Sequence, residues 1–210
     1  MRIPKKELIL YLYARGHQDI PGFVPEDPDF TEEDRSVIRE RIMQHPFFEK
    51  GEPGDSPYRL SALGQVFLDT IGSPEAWLEV RNTKASILRR FYICGGFYVY
   101  LEEVEDFCDI DLLPTIALMI GGYASAMEGL QQEEHPLSAQ PQTLWDQDSV
   151  FLQIKVCCDT DEMRLDICDN GIARKTDGAK ESYVQLSEES CTNGITMWLL
   201  NHLNEKRGEL

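Results

Sequence analysis

The sequence predicts an α+β fold: a central antiparallel sheet with flanking helices, built as two pseudo-symmetric α/β halves. Three observations predict it. Ser86 to Cys94 and Phe97 to Glu103 are rich in aromatic and β-branched residues and flank Gly95-Gly96. A two-residue hairpin turn needs positive φ, which glycine adopts without steric cost. Val150 to Cys158 and Met163 to Cys168 repeat the pattern around the polar segment Asp159 to Glu162. Helical patterns precede or follow each hairpin.

The elements follow in order. Leu8, Ile9, Tyr11 and Leu12 lie at helical spacing between Pro4 and Arg15, and Gly16 stops that helix. Asp19 to Phe30, rich in Pro and Asp, reads as a loop. Thr31 then caps a second helix, with Asp34 placed as in a capping box and Val37, Ile38, Ile42 and Met43 on its apolar face. Phe47 to Glu49 forms a short strand, returned by the turn Gly51 to Asp55 to Tyr58 to Leu60. Ser61 caps a third helix that runs through Val66, Phe67 and Leu68 and ends near Gly72. Helix, helix, hairpin, helix resembles a winged-helix plan. The candidate recognition helix, Ser61 to Thr70, has no Lys or Arg, and Arg35, Arg39 and Arg41 are offset by Glu32, Glu33, Asp34 and Glu40, so DNA binding is not expected.

After the Gly-Gly hairpin, the acidic run from Glu102 to Asp111 reads as a solvated loop leading into a helix N-terminus, where the helix dipole favours negative charge. It lacks the ligand order and glycine of a calcium-binding EF-hand. An apolar helix is expected from Asp111 or Leu112 to Leu130, with Gly121-Gly122 permitting close approach of a neighbour. Residues 133–148 are polar, broken by Pro136 and Pro141, and read as a linker between an N-terminal half (1–132) and a C-terminal half (149–210), packed as one domain. Asn170-Gly171 makes a further turn, Ala173 to Ser182 a polar loop, and Tyr183 to Leu186 a short strand. The final helix is expected from Thr192 to Lys206, with Ile195, Trp198, Leu199 and Leu203 on its apolar side.

The chemistry is restricted by what the chain lacks. No nucleotide-binding glycine loop, GxSxG or HExxH occurs. The six cysteines form no CxxC pair and read as buried reduced thiols, and no Cys–His signature accompanies His17, His45, His135 or His202. The chain therefore reads as a non-enzyme without metal or cofactor. A formal net charge of −17 opposes nucleic-acid phosphate and anionic lipid and suits a basic or mixed-charge protein partner. No apolar run approaches the roughly 20 residues that span a bilayer. With no signal-peptide pattern at the start either, a cytoplasmic location without membrane insertion is expected.

The aromatic residues of the first hairpin remain. Phe91, Ile93, Phe97 and Val99 are expected on one face and Tyr92, Tyr98 and Tyr100 on the other. Two readings stand: a sheet buried on both faces by helices, or a partly exposed aromatic strand that receives a protein partner. The second makes Phe97, Tyr98 and Tyr100, with Trp198 and Leu199 of the final helix, the candidate partner-binding residues.

The order of elements resembles the EspG-type chaperones of type VII (ESX) secretion systems and their relatives in Firmicutes. The resemblance lies in Leu60 to Leu68 followed by Pro74 to Val80, in the Gly95-Gly96 hairpin, and in Arg164 to Arg174, which looks like the family's late Asp–Gly–Arg turn, followed by Tyr183 to Leu186 and a terminal helix. It implies a quasi-twofold α/β fold and a non-catalytic cytosolic chaperone that binds a helical-hairpin secretion substrate and releases it at the export machine. An acidic immunity protein that neutralises a toxin, and an enzyme whose site is assembled from distant residues, are the rival readings.

Overall fold

The computed structural model describes residues 1–22, 30–42, 44–52, 57–130 and 140–208, with side chains to Asn204 in the last helix. The element order is β1 (Arg2–Pro4), α1 (Lys5–Ala14), α2 (Glu32–Ile42), β2 (Phe48–Lys50), β3 (Tyr58–Leu60), α3 (Ala62–Gly72), β4 (Ala76–Asn82), β5 (Ile87–Cys94), β6 (Phe97–Val104), β7 (Phe107–Leu113), α4 (Ile116–Ser125), β8 (Val150–Cys158), β9 (Asp161–Cys168), β10 (Ile172–Asp177), β11 (Lys180–Gln185) and α5 (Glu188–Gly208). β2 and β3 pair with each other. The other strands form a nine-stranded sheet in the order β1-β7-β6-β5-β4-β8-β9-β10-β11, every pair antiparallel. The α+β class with a large antiparallel sheet and flanking helices is as the sequence predicts. Two four-stranded meanders, β4 to β7 and β8 to β11, meet where β4 pairs with β8, and a helix follows each.

The sheet is covered on both faces in its first half. On one face α1 and α3 bury Leu8, Leu12, Phe67, Leu68 and Ile71 against Tyr92, Val99, Leu101 and Ile110. On the other, α4 and α5 bury Met119, Tyr123, Ile195, Trp198 and Leu199 against Leu78, Phe91, Ile93, Ile154, Val156 and Leu165. Alternation along β5, where Phe91 and Ile93 join one cluster and Tyr92 the other, is the period-two signature of a strand buried twice.

Several expectations are corrected. Phe107–Leu113 is a strand, so the acidic run lies on a hairpin and α4 begins only at Ile116, past Pro114. Its period is two: Cys108 and Ile110 are buried while Asp109 and Asp111 face outward. The stretch read as a polar loop, Ala173 to Ser182, holds most of β10 and β11, turning at Gly178 with φ +56°. Polar side chains suit those strands because, among the described residues, no α-helix covers the face of the second meander away from α5, where the short 3-10 turn Pro141–Thr143 and Trp145 lie against β10 and β11. α5 starts at Glu188 rather than Thr192, with Ser187 Oγ accepting from the Ser190 backbone N–H at 3.2 Å.

The facing of the first hairpin also changes. Its two-residue turn pairs Cys94 with Phe97, so Phe91 lies opposite Tyr100, Tyr92 opposite Val99 and Ile93 opposite Tyr98. Odd-numbered residues of β5 therefore share a face with even-numbered residues of β6. Phe91, Ile93, Tyr98 and Tyr100 look toward α4, and Tyr92, Phe97 and Val99 look the other way. The Thr31–Asp34 capping box forms, the Asp34 N–H donating to Thr31 Oγ1 at 3.1 Å and the Thr31 N–H to Asp34 Oδ2 at 3.0 Å. Met43, most of the 51–55 turn, part of the 19–30 loop and residues 133–139 of the expected linker lie outside the described residues. Within 140–148, two short 3-10 turns begin at Pro141 and Gln147.

Candidate protein-binding surface

α4 and α5 lie side by side on one face of the sheet, and both are unusual in what they lack. The chain has 37 acidic and 20 basic residues, yet no Asp, Glu, Lys or Arg occurs from Leu112 to Met127 or from Ser190 to Asn204. Burial accounts for half of this. Met119 and Tyr123 of α4, and Cys191, Ile195, Trp198, Leu199 and Leu203 of α5, enter the core. The outward residues do not: Ala117, Leu118, Gly121 and Ser125 on α4, and Asn193, Gly194, Met197 and Asn201 on α5, are exposed. Leu118 is 54% exposed and Met197 57%. The outer face of a surface helix normally carries charge. Charge depletion with exposed methionine is a feature of interface cores.

Side-chain caps fix where each helix begins. Thr115 Oγ1 accepts from the Leu118 N–H at 3.3 Å, as Ser187 does for Ser190. Counted from these caps, Gly122 and Gly194 occupy the same position. Arg89 ties α4 to the sheet, its Nη1 donating to Ser125 Oγ at 2.8 Å while its Nε lies 3.4 Å from Glu102 Oε2. Tyr123 and Thr196 hydrogen-bond through their hydroxyls and join α4 to α5.

Three hollows border the helices. A groove of about 430 Å³ beside α4 is lined by Arg89, Phe91, Tyr100, Asp111, Leu113 and Leu118. A cleft of about 330 Å³ is lined by Ala124 of α4 and by Glu188, Glu189, Thr192 and Asn193 of α5. A groove of about 200 Å³ on the far side of α5 is lined by Leu165, Val184, Leu186, Gly194 and Ile195.

The two glycines do different work. A Cβ on Gly122 would lie 2.9 Å from Phe91 Cε1, so glycine lets α4 settle onto the sheet. A Cβ on Gly194 would meet nothing within 4 Å. Glycine inside a helix costs about 1 kcal/mol relative to alanine, and no internal contact at Gly194 requires it. Gly194→Ala should therefore raise stability by about 1 kcal/mol, while Gly122→Ala should lower it by about 1–3 kcal/mol through overpacking. Urea unfolding of the two variants checks the opposite signs.

The residues singled out in the sequence fall as follows. Tyr98 and Tyr100 are half-buried on the α4 side, and Tyr100 lines the groove. Burial, reinforced by its bond to Glu102, pushes the Tyr100 hydroxyl pKa up, so it stays protonated. Trp198 (8% exposed) and Leu199 (1%) are buried on the inner side of α5. Phe97 is 45% exposed at the hairpin tip, on the opposite sheet face. Leu118, Gly194 and Met197 were missed, although two runs free of formal charge could have signalled them.

Several groups capable of chemistry are engaged in structure. Among the described residues no cluster of three or more His, Cys, Asp or Glu could hold a metal ion. One Ser–His–Asp row does form, with Ser73 Oγ 3.2 Å from His17 Nδ1 and His17 Nε2 3.4 Å from Asp69 Oδ1. Asp69, however, is gripped on both oxygens by the Arg15 fork at 2.8 and 3.0 Å, and the row joins the ends of α1 and α3. Burial pushes the Cys108, Cys157 and Cys191 thiols up to about 12, away from the reactive thiolate. Iodoacetamide at pH 8 should leave these three unmodified in the native protein and alkylate them in urea, as peptide mapping would show. No helix among the described residues is long and apolar enough to cross a membrane.

No protein-family model matches the chain, and no curated protein matches it in sequence. Among solved structures, the chain is similar to the Mycobacterium tuberculosis type VII secretion system chaperone EspG5, determined in complex with a PE25–PPE41 dimer. The TM-score is 0.51 at 10% sequence identity, covering 93% of this chain and 94% of that one. At that identity the likeness is one of fold.

Proposed function

We propose that the protein is a non-catalytic, cytosolic chaperone-type module that binds a helical-hairpin substrate of a type VII secretion system, with the α4–α5 face as its docking platform. The observation that carries this reading is the uncharged outer surface of α4 and of the stretch of α5 from Ser190 to Asn204, two adjacent helices on a chain of net charge −17. Small residues let a partner helix approach closely, while Leu118 and Met197 supply apolar anchors. In this reading the two meanders with their helices are halves of one domain, 1–132 and 149–210, related by a quasi-twofold axis near the β4–β8 pairing. Tyr100 lines the groove beside α4, with Tyr98 supporting it. Trp198 and Leu199 hold α5 in position from beneath, and Phe97 offers a further apolar contact at the hairpin tip. The fold shared with a secretion chaperone supports the same role.

The test is site-specific photo-crosslinking. Benzoylphenylalanine in place of Leu118 or Met197 replaces exposed side chains and spares the core. In lysate of the native host, both positions should capture the same small helical secreted protein. Gly194→Trp, which fills the α5 groove, should abolish capture. A nuclease-like toxin at these positions would favour the immunity reading. Capture only from a crosslinker at Phe97 would move the site to the hairpin tip.

A further inference from the structure

The hollows beside the two helices have a charge pattern of their own. Asp111 lines the groove at α4, and Glu188 and Glu189 line the cleft between α4 and α5. None of the three has an ion-pair partner among the described residues, whereas Asp109 is held by Arg2 at 2.6 Å. The nearby cations are bonded elsewhere: the Met1 α-ammonium to the Ile110 carbonyl at 2.8 Å, Arg89 to Ser125 and Glu102, and Lys175, at the α5 groove, to Asp177 at 3.6 Å. The platform is thus uncharged from Leu112 to Met127 and from Ser190 to Asn204, with unpaired acids in the first turn of α5 and in the groove beside α4.

We infer that its occupant is a helix with an uncharged ridge of small and apolar residues flanked by lysine or arginine. This rests on the docking role proposed above for the α4–α5 face. The neutral ridge matches Leu118, Gly121, Gly194 and Met197, where any charge would be desolvated without a partner. Long basic side chains reach past the ridge to Asp111 and to Glu188 and Glu189, keeping their ammonium or guanidinium groups at the wet rim. A second copy of this chain does not fit, because its own α4–α5 face would set acid against acid.

Two synthetic helical peptides with the same Leu–Ala ridge, one flanked by lysines and the other by glutamates, supply the probe. Fluorescence anisotropy with the full chain should show the lysine peptide binding about tenfold more tightly at low salt, the gap closing at high salt. The triple variant Asp111→Asn, Glu188→Gln, Glu189→Gln should erase the preference without touching the core. Gly194→Trp should weaken both peptides. Equal binding of the two peptides that Gly194→Trp still blocks would overturn the charge inference and leave the platform standing. Binding untouched by Gly194→Trp would remove the platform itself. Binding of neither peptide, or a concentration-dependent dimer in sedimentation that Gly194→Trp dissolves, would overturn the basic helix as occupant.

Discussion

Arg90→Ala should lower the unfolding free energy by about 3–5 kcal/mol, the range for removing one partner of a buried ion pair. The Arg90 side chain is 4% exposed, and its Nε donates to Glu79 Oε2 at 2.8 Å while Nη1 bonds Glu103. Lys5, at the start of α1, also bonds Glu103, so the network joins α1 to β4, β5 and β6. Alanine would leave two largely buried carboxylates facing each other. Burial raises the Glu103 pKa, but the bonds from Lys5 and Arg90 outweigh it and hold the carboxyl below the ordinary range. A depressed carboxylate stabilises the fold above the unfolded pKa, about 4.3 for Glu, and that contribution is lost as pH falls through the native value. Without Arg90 the burial effect gains weight and the carboxyl pKa rises. The deficit of the variant is therefore largest at neutral pH and shrinks toward pH 4. Urea titrations of both proteins at the two pH values give the comparison, and a pH-independent deficit would contradict the ion-network account.

Asn82→Ala should cost about 3 kcal/mol. This side chain, in a residue 1% exposed at the end of β4, uses both ends of its amide. Nδ2 donates to the carbonyls of Ala126 at 3.1 Å and Glu128 at 2.8 Å, just past α4, while Oδ1 accepts from the N–H groups of Lys84 and Ala85, each at 3.1 Å. Alanine leaves those four backbone groups without the bonds that Asn82 made, and an unsatisfied buried group costs about 1–3 kcal/mol. Asn82→Asp keeps the acceptors but turns a carboxylate toward two carbonyl oxygens, so it should be no milder. Hydrogen exchange should show the amides at the C-terminal end of α4 losing protection first in the alanine variant. A loss under about 1 kcal/mol would mean that the clasp contributes no more than one ordinary hydrogen bond.

Much of the fold was legible where the signals were local. Gly95-Gly96 marked the β5–β6 turn, and Ser61 and Thr31 marked helix starts. The β7 and β10 strands were hidden because each has a polar face: Asp109 and Asp111 masked the buried Cys108 and Ile110, and Arg174, Lys175 and Thr176 made a strand look like a loop. Which residues share a face depended on pairing parity across the Gly-Gly turn, which composition does not reveal. Of the candidate site, the hairpin aromatics drew attention because aromatic residues are conspicuous. The platform residues did not, because their signal is an absence of charge that becomes informative only once a helix is known to face solvent.

The pairing of β4 with β8 has a consequence for synthesis. β1, α1, α3 and the β4–β7 meander draw only on residues up to 113, so they can assemble before the second meander has left the ribosome. Until β8 arrives, β4 has an open edge along Ala76 to Asn82, and Ala76, Leu78 and Val80 still lack the β8 and α5 side chains they pack against. An open, apolar edge of this kind invites pairing with another nascent chain. A ribosome pause that leaves residues up to 113 outside the exit tunnel and residue 150 still inside would hold the polypeptide in that condition, and trigger factor or an equivalent holdase should crosslink to β4 at that length and release it once residue 158 has emerged.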